Sequence, residues 1–269
     1  MKRIGIVVNQ SKTGAIKVLE ELKDWLTKRG LDVVDDLTIP REEMPKRSDA
    51  IIVLGGDGTL LNLAKFMSRD SGPILGVNLG GLGFLTETTL DELYPTLEKM
   101  LAGEYECSSR MMLEAMIASS KEKYLALNDI VVTRSAPSRI LALTIRIDDG
   151  DVINYAGDGL IISTPTGSTA HALSAGSPIV YPTLDSFVIT PILPHTLAMR
   201  PLVVPPDKGL TIVFCQEVKE IILAVDGQHW IKLSPEDVIK VSKSAVRVRL
   251  VQSLKRSYWQ TLREKLGIK

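Results

Sequence analysis

Two stretches of the 269-residue chain gather side chains that could do chemistry. In residues 51–65, IIVLGGDGTLLNLAK, an aliphatic run leads into Gly55, Gly56, Asp57, Gly58 and Thr59. Glycines let a ligand approach the backbone, and a helix start offers unpaired N–H groups to anionic oxygens. The pattern is neither GxGxxG nor a Walker A loop, since no lysine follows. A carboxylate in a loop built for phosphates leaves three roles open. Asp57 could cap a helix starting at Thr59, hold magnesium, or accept the proton of a hydroxyl that attacks phosphorus. The second stretch, residues 156–178, reads AGDGLIISTPTGSTAHALSAGSP. Asp158 precedes a strand-like run, and Pro165 and Gly167 force a turn after it. The hydroxyls of Thr164, Thr166, Ser168 and Thr169 suit either ligand oxygens or a helix cap. Ala170, Ala172 and Ala175 leave room for a planar ring or another backbone.

The elements that must carry these loops follow from hydrophobic periodicity. Up to residue 105, strand-like runs at 3–8, 31–34, 50–54 and 73–78 alternate with helical spacing at 15–29, 60–67 and 90–101. Thr89 and Glu92 have capping-box spacing at the start of the last helix. Such alternation predicts a parallel, Rossmann-like sheet with helices on its faces, its ligand loops beyond the carboxyl ends of the strands. From residue 106 the pattern turns β-rich, with strand-like runs at 111–118, 124–132, 141–148, 152–157, 159–164, 210–214, 220–225, 238–242 and 246–251. Only residues 168–175 and 258–266 look helical there. The expected organisation is an α/β domain over 1–105, completed by 253–269, and a β-sandwich-like domain over 106–252. The final helix, with Trp259, Leu262 and Leu266 on one side, is expected to return to the first domain.

Composition narrows the partners. Thirty-two basic and thirty-two acidic residues give no net charge, so nothing points to nucleic acid or a membrane surface. No apolar run approaches the roughly 20 residues of a membrane span. Cys107 and Cys215 match no metal spacing, and a cytoplasmic location is the expectation. His195 and His229 read as packing or surface residues, and Arg200 equally as an ion-pair or phosphate partner.

GGDGT at 55–59, LND at 127–129, DGLIISTPTGSTAHALSAGSP at 158–178, RPLVVP at 200–205 and VDGQ at 225–228 resemble, in order and spacing, the motifs of the NAD kinases. GGDGT alone is shared with diacylglycerol and sphingosine kinases. The TPTGSTA segment behind Asp158 is far more specific. The resemblance implies ATP-dependent phosphorylation of the adenosine-ribose 2′-hydroxyl of NAD, with Asp57 as base or hydroxyl-orienting group. It places Gly55, Gly56, Gly58 and Thr59 near the ATP phosphates. It assigns the dinucleotide to Gly58, Phe84, Asn128, Asp129, Asp158, Thr169, Ala170, His171, Ser174 and Gln228, and gives the segment 190–196 a place lining the site. It implies Mg2+ or another divalent cation travelling with ATP, no certain protein metal ligand, and a homodimer or homotetramer built through the β-rich domain. The alternatives are a lipid or sugar kinase of the GGDGT type and a non-catalytic dinucleotide-binding module.

The chain departs from the family pattern at three points. Asp129 stands where glutamate is usual, one methylene shorter. His171 replaces the tyrosine of STAY, and Ser177 replaces a glycine of SAGGP.

Overall fold

The computed structural model describes residues 1–134, 140–148, 150–195, 198–215 and 221–267. Two compact units are present, one made of Met1–Ser109 with Arg247–Lys269 and the other of Arg110–Val246.

In the first unit β1 (Arg3–Val8), β2 (Asp32–Asp35), β3 (Ala50–Gly55) and β4 (Ile74–Asn78) form a parallel sheet in the order β2-β1-β3-β4. Every residue of β3 and β4 is buried, which is why these strands read as unbroken apolar runs and not as alternating ones. The connections are α1 (Ala15–Thr27), α2 (Met44–Arg47), α3 (Asp57–Ala64) and α4 (Leu90–Ala102). Helix α1 buries Ala15, Leu19, Leu22 and Leu26, the three- and four-residue spacing of a stripe facing a sheet. Helix α4 opens with the expected capping box of Thr89 and Glu92 and ends at Gly103 in the left-handed conformation. The loops after β3 and β4 lie side by side at the carboxyl edge of the sheet, where the Leu79 amide donates to the Gly55 carbonyl at 3.2 Å.

Strand β5 (Cys107–Ile117) carries the chain into the second unit. There β6 (Lys123–Ala126), β7 (Asp129–Arg134), β8 (Leu141–Ile147), β9 (Asp151–Gly157) and β10 (Gly159–Ser163) precede the short helix α5 (His171–Ser174). After it come β11 (Phe187–Ile192), β12 (Leu202–Val204), β13 (Leu210–Phe214), β14 (Ile221–Val225), β15 (His229–Leu233) and β16 (Val238–Val251). One sheet has the antiparallel order β12-β11-β10-β7-β14-β15. The other contains β16-β13-β8-β9, with β5 pairing β16 and β6. Ile130, Val132, Leu160, Ile162 and Leu223 of the first sheet share a core with Leu143, Ile145, Ile212 and Ile239 of the second. This is the sandwich that the alternating strands predict.

Strand β16 ends beside β4, with Leu250 opposite Ile74, and α6 (Tyr258–Leu266) follows in the first unit. Ser257 caps α6, and Thr261 and Leu262 are its buried residues. Trp259 is 58% exposed, so it does not share the buried face expected of it.

Three further differences from the sequence reading have identifiable physical causes. Strand β11 contains Pro191 and follows a turn-rich stretch, so its apolar run is too short to stand out. The runs at 238–242 and 246–251 are one continuous strand. Residues 124–132, read as one strand, break at Leu127 and Asn128, whose amides leave the ladder for a side chain described below. Among the described residues no helix is long and apolar enough to cross a membrane.

Candidate functional site

Helix α3 begins at Asp57, two residues before the expected start, with Gly56 as an extended N-cap. Asp57 is the first residue of the helix and not its N-cap. Its carboxylate turns to the loop after β4, where Oδ2 accepts from the Phe84 amide at 2.8 Å. Oδ1 accepts from the amides of Leu85 and Thr86 and from the Thr86 hydroxyl, each at 3.0 Å. Asn78 Nδ2 donates to that same hydroxyl at 2.8 Å, which leaves its hydrogen for Asp57. A carboxylate has about four acceptor positions. Oδ1 is therefore filled, while Oδ2 keeps capacity for one more donor. The fit is close: a Cβ on Gly83 would stand 2.1 Å from Asp57 Oδ1.

The remaining residues of this loop divide by exposure. Gly56 is half-buried with open space beside its Cα, and Gly58 is exposed on the first helical turn. Thr59 is buried with its side chain packed against Gly55. Phe84 is half-buried, and Lys265 Nζ lies 5.9 Å from its ring centre.

The second unit builds a separate cavity of about 320 Å³. Period-two alternation makes it: Ile130 and Val132 of β7 point into the sandwich core, while Asp129, Val131 and Thr133 line the cavity. Ala224 is opposite Val131 in the register and Trp230 opposite Ala224, which extends this face across two more strands. Asn128, Ala170 and His171 complete the rim named from the sequence, with His171 exposed at the start of α5.

Asp226 governs the loop at the head of this cavity. It occupies the turn between β14 and β15, and its φ of 50° with Gly227 at 63° gives the left-handed pair of a tight hairpin. Its Oδ2 accepts from the Leu127 amide at 2.8 Å, and Oδ1 from those of Asn128 at 2.8 Å and Asp129 at 3.0 Å. From the other side Thr164 Oγ1 donates to the Leu127 carbonyl at 2.6 Å, and the Thr164 amide to the Asn128 carbonyl at 2.9 Å. Burial, and next the charge of Asp226, push the Asp129 carboxyl up to about 7. Burial also raises Asp226, to about 6, against the pull of its three amide donors. Those donors favour the ionised form of Asp226, so Asp129 is the member of the pair that keeps a proton near neutrality.

Other residues named from the sequence have internal partners. Asp158 forms an ion pair with Arg134 at the end of β7. Thr169 donates to the Thr166 carbonyl at 3.2 Å, and the Val180 amide donates to Ser168 Oγ at 3.0 Å, tying that turn to Val180. Ser174 is exposed and Gln228 half-buried just past the hairpin turn. Thr190 is fully buried on β11, and Thr196 lies outside the described residues. Ser177 fits without strain, since the positive φ of that turn, 85°, falls on Gly176. Sequence reasoning gave no role to Asp226, although the VDGQ motif contains it, nor to Thr86, Arg134 and Trp230. For Asp226 a signal existed, because an Asp-Gly pair between two strand-like runs marks a hairpin turn.

A parallel sheet with a glycine–aspartate loop at its carboxyl edge, and a sandwich carrying a largely apolar cavity with Asn128 and Asp129 on its rim, are features suited to binding nucleotides. Residues 37–105 match the model of the ATP-NAD kinase N-terminal domain and residues 127–253 that of the C-terminal domain. An NAD kinase of Geotalea daltonii is 42% identical, over 99% of this chain and 98% of that one, and one of Caldanaerobacter subterraneus is 40% identical over 99% of each. Yeast NADH kinase, solved with NADH, superposes with a TM-score of 0.90 at 25% identity, over 100% of this chain and 88% of that one. The NAD kinase of Archaeoglobus fulgidus, solved with ATP, gives 0.82 at 26% identity over 99% of each. The chain belongs to the NAD kinase family, which sets aside the lipid-kinase, sugar-kinase and non-catalytic alternatives.

Proposed function

We propose that the protein transfers the terminal phosphoryl group of ATP to the adenosine-ribose 2′-hydroxyl of NAD, with Asp57 receiving or orienting that hydroxyl. The observation carrying this reading is the carboxylate of Asp57, fixed by four donors yet with acceptor capacity left on Oδ2. Phosphoryl transfer asks the protein mostly for positioning and charge stabilisation. A carboxylate held this firmly suits late proton transfer or orientation of the hydroxyl better than early abstraction. Half-buried Gly56, with open space beside its Cα, and exposed Gly58, both at the positive end of α3, are assigned to ATP phosphates.

The cavity of the second unit is assigned to the dinucleotide, with Asn128, Asp129, Ala170 and His171 as contacts. A protonated Asp129 carboxyl donates a hydrogen bond, and Asn128 can both donate and accept. Among the described residues no three His, Cys, Asp or Glu side chains gather closely enough to hold a metal. Mg2+ arriving with ATP is assigned to phosphate oxygens and water, because this cation usually keeps several waters and binds through substrate phosphates, where it neutralises their charge. A homodimer or homotetramer through the second unit is the assembly that the family resemblance implies, and light scattering measures it.

The test is Asp57→Asn, assayed for NADP formation from NAD and ATP. Turnover is expected to fall by about 10³-fold or more while NAD still binds. Turnover within about tenfold of wild type, ~1.4 kcal/mol of barrier, would remove Asp57 from the chemistry.

A further inference from the structure

We propose that Asp226 is a positioning residue for dinucleotide binding: it acts through the main chain of residues 127–129 and sets the path from which Asn128 and Asp129 face the cavity. This rests on the assignment of that cavity to NAD. Three successive amides converge on one carboxylate, at 2.8, 2.8 and 3.0 Å. They belong to the point where an otherwise continuous apolar run leaves its sheet. The clamp is reciprocal, because the Asp226 amide donates to the Asp129 carbonyl at 2.9 Å. Opposite it, a Cβ on Gly167 would stand 2.1 Å from the Asn128 carbonyl oxygen, so the loop is gripped between the hairpin turn and the 164–167 turn. Without the carboxylate these three donors lose their common acceptor, and the loop can relax back toward the strand register of its neighbours.

The test compares Asp226→Ala, Asp226→Asn, Gly167→Ala and Asn128→Ala with wild type, measuring kcat and the KM for NAD and for ATP. Asp226→Ala and Gly167→Ala are expected to raise the NAD KM about 20-fold or more, with the ATP KM within about threefold of wild type. Asp226→Asn keeps one acceptor oxygen, and a smaller rise of about fivefold is expected. Amide hydrogen exchange is expected to accelerate at residues 127–129 in both Asp226 variants. An NAD KM within about threefold of wild type in the Asp226 variants, or ATP and NAD KM values rising together, overturns the inference. Should Asp226→Ala fail to fold, Asp226→Asn and Gly167→Ala decide by the same criteria. Asn128→Ala separates the two layers. If it raises the NAD KM while the others do not, the inference alone falls; if it too leaves the KM unchanged, the cavity assignment falls with it.

Discussion

Asp57 and Asp226 sit in different units, each followed by a glycine, and each gathers three successive amides of a loop far away in the chain. Their settings differ. Asp57 lies at the start of a helix, beside exposed Gly58 and the open Cα of Gly56. Asp226 lies in a hairpin turn beside a second, buried carboxyl, and burial pushes both above the usual carboxylate range. On the roles proposed above, the same anchor serves two purposes. Where it faces open backbone suited to phosphates, the anchored group is itself available for chemistry. Where it is enclosed, the useful groups are the neighbours it holds.

The comparison can be broken from either side. Short of replacing either aspartate, Gly83→Ala is expected to do the most damage, because its methyl would stand 2.1 Å from Asp57 Oδ1 and must displace the carboxylate or its loop. Steady-state kinetics should show kcat lowered by about 100-fold, ~2.7 kcal/mol of barrier.

Next in size is the pH dependence of stability. Between the unfolded value near 3.8 and the folded value of about 7, native Asp129 keeps a proton that the unfolded chain has released. Stability is therefore highest below pH 4 as far as this group is concerned and falls as pH rises to about 7; Asp226 adds the same sign up to about 6. Asp129→Asn cannot ionise. In denaturant unfolding its stability relative to wild type should grow from pH 5 to pH 8 by an amount on the order of 2 kcal/mol. A constant difference would mean that Asp129 does not keep its proton.

Thr86→Val removes one of the four donors to Asp57 at nearly constant volume and leaves Asn78 Nδ2 short of an acceptor. A loss of about 1 kcal/mol in stability and about threefold to tenfold in kcat is expected. The smallest effect belongs to His171→Tyr, at an exposed rim position. The NAD KM should change by about twofold to fivefold, with stability within about 0.5 kcal/mol, by the same assay and thermal unfolding.

Much of this molecule is legible in its sequence, for reasons that also mark where legibility stops. The strands β1, β3 and β4 announce themselves as apolar runs, the capping box of α4 is a local spacing, and the turn from helical to alternating periodicity separates α/β from β-rich chain. GGDGT and the 164–169 turn are local too. The partners of Asp57, by contrast, lie 27 to 29 residues away, and those of Asp226 97 to 99 residues away. No local propensity encodes such pairings. Residues 124–132 illustrate the limit, since their apolar pattern favours a single strand and only the distant Asp226 explains the break. For Asp57 the local rule allowed a helix cap among other roles, and the carboxylate instead turns to a loop far away in the chain.

The most direct test of the division of labour is one assay of NADP formation run on Asp57→Asn and Asp226→Asn together, with NAD affinity measured by calorimetry. Asp57→Asn is expected to lose kcat by about 10³-fold with NAD affinity within about threefold of wild type, and Asp226→Asn to weaken NAD about fivefold with kcat within about threefold. The same pattern of kcat and affinity loss in both variants, or the reverse assignment, would contradict it.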